Sequence, residues 1–371
     1  MLISVAVPVP NLDLLTYAVP AGVATPTVGA RVVVPLGNRV VTGIVVEVNV
    51  EPPTSSAESR TTQVKPIREL LDTSAFVPPD VVALARWTAE YYAAGVGDTI
   101  PALLPPMARG GRADAHKTIR VAAITAAGME ALAGDDKLTS RQREALTLLS
   151  GTPTGIGTAA LAARGIAADA ISRLANRGYI SLRQDRVDRD PFDQGQIRVR
   201  PGSDQGLTPE GRQLTGEQID VLARLRKLAD TRDFRVALVH GVTGSGKTEV
   251  YIRLSAEIRQ AGRRVLMLVP EIALTPAAAA LFRQAFGERV AIQHSGLSDG
   301  ERHDQWQRIR RGDIDIVVGT RSAVFAPLEN VGLIVVDEEH DGSYKQDESP
   351  RYNGRDVAIV RAQRAGALDV L

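Results

Sequence analysis

His240-Gly241-Val242-Thr243-Gly244-Ser245-Gly246-Lys247-Thr248 follows the apolar run Arg235-Val236-Ala237-Leu238-Val239 and opens a helical pattern over 249–259. This is G-x-x-x-x-G-K-T in strand, loop, helix order, the context that separates a phosphate-binding loop from a chance glycine-rich turn. Its glycines let successive backbone N–H groups curl round phosphate oxygens at a helix N-terminus. Lys247 is placed to reach the β and γ oxygens, and the Thr248 hydroxyl to ligate Mg²⁺. Residues Gly241 to Thr248 are the candidate site for a nucleoside triphosphate with Mg²⁺.

Working outward, the chain from about Leu207 alternates apolar strands over 236–239, 265–269, 290–292, 314–318 and 333–336 with helical stretches such as 277–286 and 301–311. Continuous apolar strands between helices predict a parallel sheet covered on both faces. Ligands in such sheets bind beyond the carboxyl ends of the strands, and those ends carry polar clusters. Asp337-Glu338-Glu339-His340 follows strand 333–336; Asp337 is the candidate metal carboxylate and Glu338 the candidate general base for the attacking water. Pro270-Glu271-Ile272-Ala273-Leu274-Thr275 and Gly319-Thr320-Arg321-Ser322 end two other strands. Thr275, Thr320 and Arg321 can cradle a second phosphate chain, that of DNA, although turn chemistry explains each cluster singly.

Two further stretches flank these motifs. In Leu214-Thr215-Gly216-Glu217-Gln218, Thr215 and Gln218 form a capping box, and Gln218 is also placed to read an adenine edge. The loop from Ser343 to Tyr352 is aromatic and basic; Tyr344, Lys345 and Tyr352 are candidates for stacking on bases and coupling DNA to hydrolysis, or the tyrosines simply pack.

Toward the N-terminus, residues 2–50 alternate with period 2, predicting a small β-domain, with an exposed loop at 51–63 and a helix over 79–94. The pair Tyr91-Tyr92 can stack bases or pack. A linker over 106–117 precedes helical patterns at 138–149, 158–164 and 168–177 and a β-like end at 179–183, which together predict a winged helix with a terminal hairpin. Arg173 and Arg177 share a face of its third helix, where such folds touch DNA, though winged helices also serve as protein contacts. A second linker spans 185–205.

The 371 residues suggest two or three domains. Residues 106–200 carry 15 Lys/Arg against 10 Asp/Glu, an excess that suits nucleic acid or a merely solvated surface. With no cysteine and five scattered histidines, no disulfide, thiolate zinc site or further metal is expected. No targeting or membrane-spanning pattern is evident, so the cytoplasm is the expected location.

Several motifs taken together carry a resemblance. They are Gly-Val-Thr-Gly-Ser-Gly-Lys-Thr-Glu-Val-Tyr (241–251), Val-Pro-Glu-Ile-Ala-Leu-Thr-Pro (269–276), His-Ser-Gly-Leu-Ser-Asp-Gly-Glu-Arg (294–302), Gly-Thr-Arg-Ser-Ala (319–323) and Asp-Glu-Glu-His-Asp-Gly-Ser-Tyr-Lys-Gln (337–346). The chain resembles the PriA family of bacterial replication restart proteins (primosomal protein N′), within superfamily 2 of DNA helicases. Val7-Pro8-Val9-Pro10, Val32-Val33-Val34-Pro35-Leu36-Gly37 and residues 87–97 resemble its 3′-end-binding domain, and 138–190 its winged helix. The resemblance implies a multidomain fold: a β-rich 3′-end DNA-binding domain over 1–107, a linker and winged helix over 108–200, and a RecA-like α/β P-loop motor lobe over 207–371.

It also implies 3′-to-5′ helicase activity at stalled forks, initiation of primosome assembly, and as partners DNA forks, single strands and nascent 3′ ends together with primosome and single-strand-binding proteins. A monomer that does not engage membranes is expected. The nucleotide site carries over onto Gln218, Gly241 to Thr248, Asp337 and Glu338; the aromatic loop onto Tyr344 to Arg355; and the grip on the DNA 3′ end onto Gly37 and Lys65. Leu15-Thr16-Tyr17 stands where the family has Phe-Asp before the tyrosine, and Asn353-Gly354 where it has His-Ala before Arg355. The chain stops in Ala367-Leu368-Asp369-Val370-Leu371, where the family continues into Gly-Ser-Ala-Thr-Pro. The second motor lobe with its arginine fingers and a cysteine-rich Zn²⁺ region are thus expected outside this chain, which alone should hydrolyse ATP poorly. Two rival readings are a non-enzymatic fork-binding scaffold and a small-molecule P-loop kinase; the kinase leaves the winged helix and aromatic loop unexplained.

Overall fold

The computed structural model describes residues 1–51, 64–109, 117–134, 136–189, 191–192, 213–242, 244–270 and 276–371. They divide into two compact units, one made of Met1–Ala115 with Asp190–Leu371 and the other of His116–Arg189.

The first unit opens with β1 (Leu2–Ala6), β2 (Leu15–Ala18), β3 (Arg31–Leu36), β4 (Arg39–Val48) and β5 (Glu69–Leu70), an antiparallel sheet in the order β2-β1-β4-β3-β5. Their alternation directs Ile3, Val5, Val32, Val34 and Val45 into one core with Tyr17 and Ile67. α1 (Pro79–Tyr91) starts on a proline, tolerated where the first-turn N–H needs no partner, and buries Val81, Val82, Leu84, Ala85, Thr88 and Ala89 along one stripe. α2 (Val96–Leu103) follows, with Asp98 capping its start.

The second unit contains β6 (Lys117–Ile124), α3 (Ala126–Ala133), α4 (Ser140–Ser150), β7 (Ile156–Gly157), α5 (Thr158–Ala163), α6 (Ala168–Asn176) and β8 (Ile180–Val187). Leu146, Leu149, Leu161, Ile171 and Leu174 from α4, α5 and α6 form its core. The anticipated terminal hairpin is instead a single long strand. β8 pairs antiparallel with β6, from Lys117↔Val187 to Ile124↔Ile180, and the sheet order is β7-β6-β8. The partner strand precedes the helices, beginning at the last residue of the stretch read as a linker. Arg173 and Arg177 are exposed, Arg173 paired with Asp169 at 3.0 Å.

Back in the first unit, the chain runs α7 (Gly216–Asp230), β9 (Arg235–Ala237), α8 (Lys247–Gln260), β10 (Arg264–Leu268), α9 (Pro276–Phe286), β11 (Val290–Gln293), α10 (Asp299–Arg311), β12 (Ile316–Gly319), β13 (Val331–Val336), α11 (Gly354–Ala365) and β14 (Leu368–Val370). All six strands are parallel, in the order β11-β12-β10-β13-β14-β9. α7, α8 and α9 pack on one face, while Trp306, Ile309, Val357, Ala358 and Ala362 from α10 and α11 pack on the other. Being covered twice is why β12 and β13 are buried at every residue. β9 lies at the sheet edge, which leaves Val236 exposed.

Phe76, ahead of α1, ties the small β-sheet region to this lobe. Its ring stacks on Trp306 of α10 at 4.6 Å between centroids, with the Arg31 guanidinium 3.7 Å and that of Arg310 4.8 Å from its centre. Arg31, almost fully buried, is neutralised by Asp72 at 2.8 Å. Among the described residues no helix is long and apolar enough to cross a membrane, and no cluster of three His, Cys, Asp or Glu could hold a metal ion.

Candidate nucleotide and DNA site

The loop between β9 and α8 turns on Gly244 and Gly246, both at φ +83°, where a side chain would be strained. Gly246 has a second reason to lack one: a Cβ there would collide with the Gln218 amide. No side chain caps α8, so its first N–H groups and the positive end of its dipole face the loop. Lys247 Nζ donates to Gly241 O at 2.8 Å and to Glu338 Oε1 at 3.0 Å. Gln218 is spanned between two elements, its Oε1 accepting from Thr215 N at 3.0 Å and its Nε2 donating to Ser245 O at 2.9 Å. Gln218 thus ties the start of α7 to the loop, and its amide keeps one N–H and one oxygen lone pair beyond these two bonds. A cavity of about 110 Å³, bordered by Gln218, Val221, Val239, His240 and Lys247, adjoins the loop. Val242 is exposed, and Thr243 lies outside the described residues.

Across the sheet, β13 delivers Asp337, whose N–H donates to Leu268 O of β10 at 2.9 Å. Asp337 Oδ1 is buried without a hydrogen-bond partner among the described residues. A buried orphan carboxylate oxygen at this strand end is what a hydrated Mg²⁺ requires, so Asp337 with the Thr248 hydroxyl fits the metal. Burial first, then the Glu338 charge, raises the Asp337 carboxyl above its ordinary range, with Lys247 opposing. Glu338 sits at φ +47°, a left-handed conformation that costs a non-glycine residue about 1–3 kcal/mol and that clusters at functional sites.

Two tyrosines near these carboxylates had no part in the sequence reading of the metal site. Tyr251, fully buried on α8, has its hydroxyl held well above the ordinary range by burial and then by the Asp337 and Glu338 charges. Tyr344 donates its hydroxyl to Asp337 O at 2.7 Å. The aromatic loop therefore touches the backbone of Asp337, the candidate metal carboxylate.

That contact revises the stacking expectation. Tyr344 is 1% exposed and Tyr352 3% exposed, the latter packed edge-on to Phe325 at 5.4 Å. Neither ring is open to a base in this conformation, because the loop folds inward onto the sheet. Its polar members behave differently. Lys345 stays exposed, its ammonium bonded to Arg351 O and 5.2 Å from the Tyr92 ring centre. Arg355 bridges Glu339 at 2.8 Å and Asp356 at 3.1 Å. Arg321 donates to Ser343 O at 2.9 Å and Lys345 O at 3.4 Å, joining the cluster after β12 to the aromatic loop. Thr320 is buried, its N–H donating to Gln293 O at 3.1 Å. Thr275 lies outside the described residues.

Asn353 accounts for its own departure from the family pattern. As N-cap of α11 its side chain accepts from Arg355 N at 3.0 Å. Its own N–H donates to the Tyr92 hydroxyl at 3.1 Å, so Tyr92, read as a stacking or packing residue, anchors the aromatic loop to the end of α1. Further along α11, the buried Arg361 guanidinium donates to Val324 O (2.6 Å), Ala326 O (2.9 Å) and Leu328 O (2.8 Å), fixing the segment that follows Arg321.

In the β-rich region Gly37, at φ +57°, occupies the two-residue turn between β3 and β4. Tyr17 donates to Pro35 O at 3.0 Å, and Ala18 N to Lys65 O at 3.0 Å. Strand Leu15–Ala18 is thus bonded to Pro35, two residues before Gly37, and to Lys65 itself.

Comparison with known proteins gives two family matches, "3'DNA-binding domain (3'BD)" of PriA over residues 4–105 and "DEAD/DEAH box helicase" over 218–358. The chain is 37% identical to the replication restart protein PriA of Haemophilus influenzae over 98% of its own length and 47% of that protein. It is 32% identical to the Chlamydia pneumoniae protein of the same name over 96% and 46%, and 42% identical to the Bacillus subtilis one over 52% and 23%. It spans about half the length of the first of these relatives. Among solved structures, the Pyrococcus furiosus Hef helicase domain is similar at 25% identity over 42% of this chain and 31% of that one, with a TM-score of 0.30.

Proposed function

Because the chain belongs to the PriA replication restart family over the half of that family's length that it spans, we propose that it works in a 3′-to-5′ DNA helicase that acts at stalled forks and initiates primosome assembly. In this reading residues 1–107 grip a nascent 3′ end through Gly37 and Lys65, residues 108–200 hold a winged helix, and 207–371 form one motor lobe. DNA, primosome proteins and single-strand-binding proteins are the partners.

The observation that carries the reading is the convergence of Lys247, Glu338 and the orphan Asp337 oxygen at the carboxyl ends of β9 and β13. Incoming phosphates compete with Glu338 for the Lys247 ammonium. Released, Glu338 accepts a proton from the water that attacks the γ-phosphorus as the bond to the ADP oxygen breaks. Thr248 and Asp337 would hold Mg²⁺, which would supply neutralisation of the charge on the transferring phosphate. Tyr344 and Arg321 link this centre to the backbone that carries the exposed Lys345 toward DNA, a path by which DNA occupancy adjusts Asp337. With the groups of one lobe alone, these 371 residues hydrolyse ATP slowly, because fingers that stabilise the transferring phosphoryl are worth several powers of ten in rate.

The test is binding of a fluorescent ATP analogue with Mg²⁺, followed by hydrolysis with and without single-stranded DNA, in the chain and in its Lys247→Ala variant. Expected are binding weakened at least tenfold by the substitution and a small DNA-stimulated rate in the parent. Equal binding by both proteins would overturn the site, and turnover indifferent to DNA would overturn the motor.

A further inference from the structure

α1 ends in an aromatic cluster that neither the nucleotide site nor the 3′-end residues use. Trp87 and Tyr91 stand four residues apart, which puts them on one face of the helix. Their rings are stacked, 4.8 Å between centroids and 22° from parallel. Tyr92, the next residue, meets Tyr91 at 77° with 5.0 Å between centroids. Trp87 and Tyr92 are partly buried against the core, whereas Tyr91 is 64% exposed. It is the one large apolar side chain of α1 left so open among the described residues. Held from two sides yet open to solvent, its ring can take a flat ligand at little cost in side-chain ordering.

What surrounds the ring limits what that ligand is. The exposed Lys345 ammonium lies 5.2 Å from the centre of the Tyr92 ring, so a cation borders the cluster. The Tyr92 hydroxyl accepts from Asn353 N at 3.1 Å and donates to Asp356 Oδ2 at 3.4 Å, which fixes the aromatic loop beside it. Of the acids nearby on α1 and β4, Glu90 and Glu47 both pair with Arg86. A rigid aromatic surface with a cation at its border suits a nucleobase, since every base has a π face and carries a phosphate alongside. A protein partner would need far more surface: stable interfaces bury about 800 Å² a side, and here one ring is open.

We propose that Tyr91, backed by Trp87, is a stacking platform for an unpaired base of single-stranded DNA, with Lys345 beside it toward the phosphate. The proposal rests on the reading of residues 1–107 as a DNA-binding domain and adds to it a site distinct from Gly37 and Lys65. Because the ring contacts a base and no phosphate, its share of the affinity is insensitive to salt.

The experiment uses the full 371-residue chain and its Tyr91→Ala, Tyr91→Leu and Tyr91→Phe variants, each checked for parental melting. Tyr91→Leu keeps apolar bulk at the helix end and removes only the π face, so it decides the matter if Tyr91→Ala melts early. One arm measures binding of a labelled oligothymidylate across a KCl series, beside a strand of the same length in which abasic sites replace the bases. Expected are affinity for oligothymidylate about tenfold lower with Ala or Leu, near-parental affinity with Phe, and one salt slope for all four proteins. The abasic strand should bind all four alike. The other arm uses strands carrying a single 2-aminopurine, whose fluorescence falls on stacking; the parent and Tyr91→Phe should quench it at one or more positions where Tyr91→Ala and Tyr91→Leu do not. Parental affinity and quenching in both the Ala and Leu variants would overturn the platform. So would an equal loss for the abasic strand or a shallower salt slope, either of which marks a phosphate contact instead. A parent that binds no oligonucleotide at all would overturn the DNA-binding reading and the platform together, an outcome distinct from strand binding that survives loss of the ring.

Discussion

Lys247 Nζ lies 3.0 Å from Glu338 Oε1, so the phosphate-binding cation and the candidate base occupy each other. The pair is only partly shielded from water, with side-chain exposures of 15% and 29%, so it is modest in energy and readily opened by a competing triphosphate. The strained backbone of Glu338 makes a discrete movement of the carboxylate cheap, since leaving φ +47° releases strain.

Replacing Glu338 by Gln removes both the competitor for Lys247 and the proton acceptor. Nucleotide affinity should hold or tighten, while hydrolysis falls by about 10²–10⁴-fold. Parallel nucleotide titrations and phosphate-release assays check this, and near-normal turnover would refute the base assignment.

Tyr344→Phe deletes the hydroxyl that donates to Asp337 O and little else, since the ring stays packed. Nucleotide binding should be unchanged and the extra rate produced by DNA should drop several-fold. A loss of affinity without loss of stimulation would show that Tyr344 serves the nucleotide pocket and not the coupling path.

Asp369 offers a pH-dependent prediction. It is fully buried in β14, neither carboxyl oxygen has a hydrogen-bond partner among the described residues, and burial pushes its pKa from 3.8 up to about 7. A carboxyl that binds its proton more tightly folded than unfolded favours the fold below the unfolded value, and that contribution is lost as pH rises through the folded one. Stability from this group should therefore decline between about pH 4 and 7. Asp369→Val, set beside Ile334 and Val236 in the sheet, should raise stability at pH 8 by about 2–4 kcal/mol and flatten the slope. Urea melts at pH 5, 6, 7 and 8 measure both effects.

Phe76→Ala empties the space between Trp306 and the two arginines. A loss of about 3–5 kcal/mol is expected from truncating a buried aromatic. Chemical denaturation checks the size, and a cost below about 1 kcal/mol would mean that the small β-sheet region and the motor lobe do not depend on this stack.

How much could be read from the chain varied with the range of the interaction. β10, β12 and β13 were legible because burial on both faces writes itself as unbroken runs of Val, Ile and Leu. The phosphate loop and Asp337 were legible because their chemistry is local. β6 was not, because its start lies in the Arg-, Gly- and Ala-rich stretch read as a linker and its pairing with β8 crosses more than fifty residues that carry no local trace of it. Tyr344 and Tyr352 sit among Lys, Gln, Asp, Glu and Arg, a composition that belongs to exposed loops. What turns them inward is tertiary: the Asp337 carbonyl that receives one hydroxyl and the Phe325 edge that receives the other ring. Tyr92 likewise shows its role only through a backbone amide far along the chain.

The Arg361 clamp has a genetic consequence. Its three acceptors are main-chain oxygens, which every amino acid possesses, so Val324, Ala326 and Leu328 can exchange for other apolar residues of similar bulk without the clamp noticing. Main-chain shape here is thus written largely by one codon on α11, and a saturating mutational scan should show Arg361 tolerating almost no substitute while the three buried positions facing it still accept apolar residues of similar bulk.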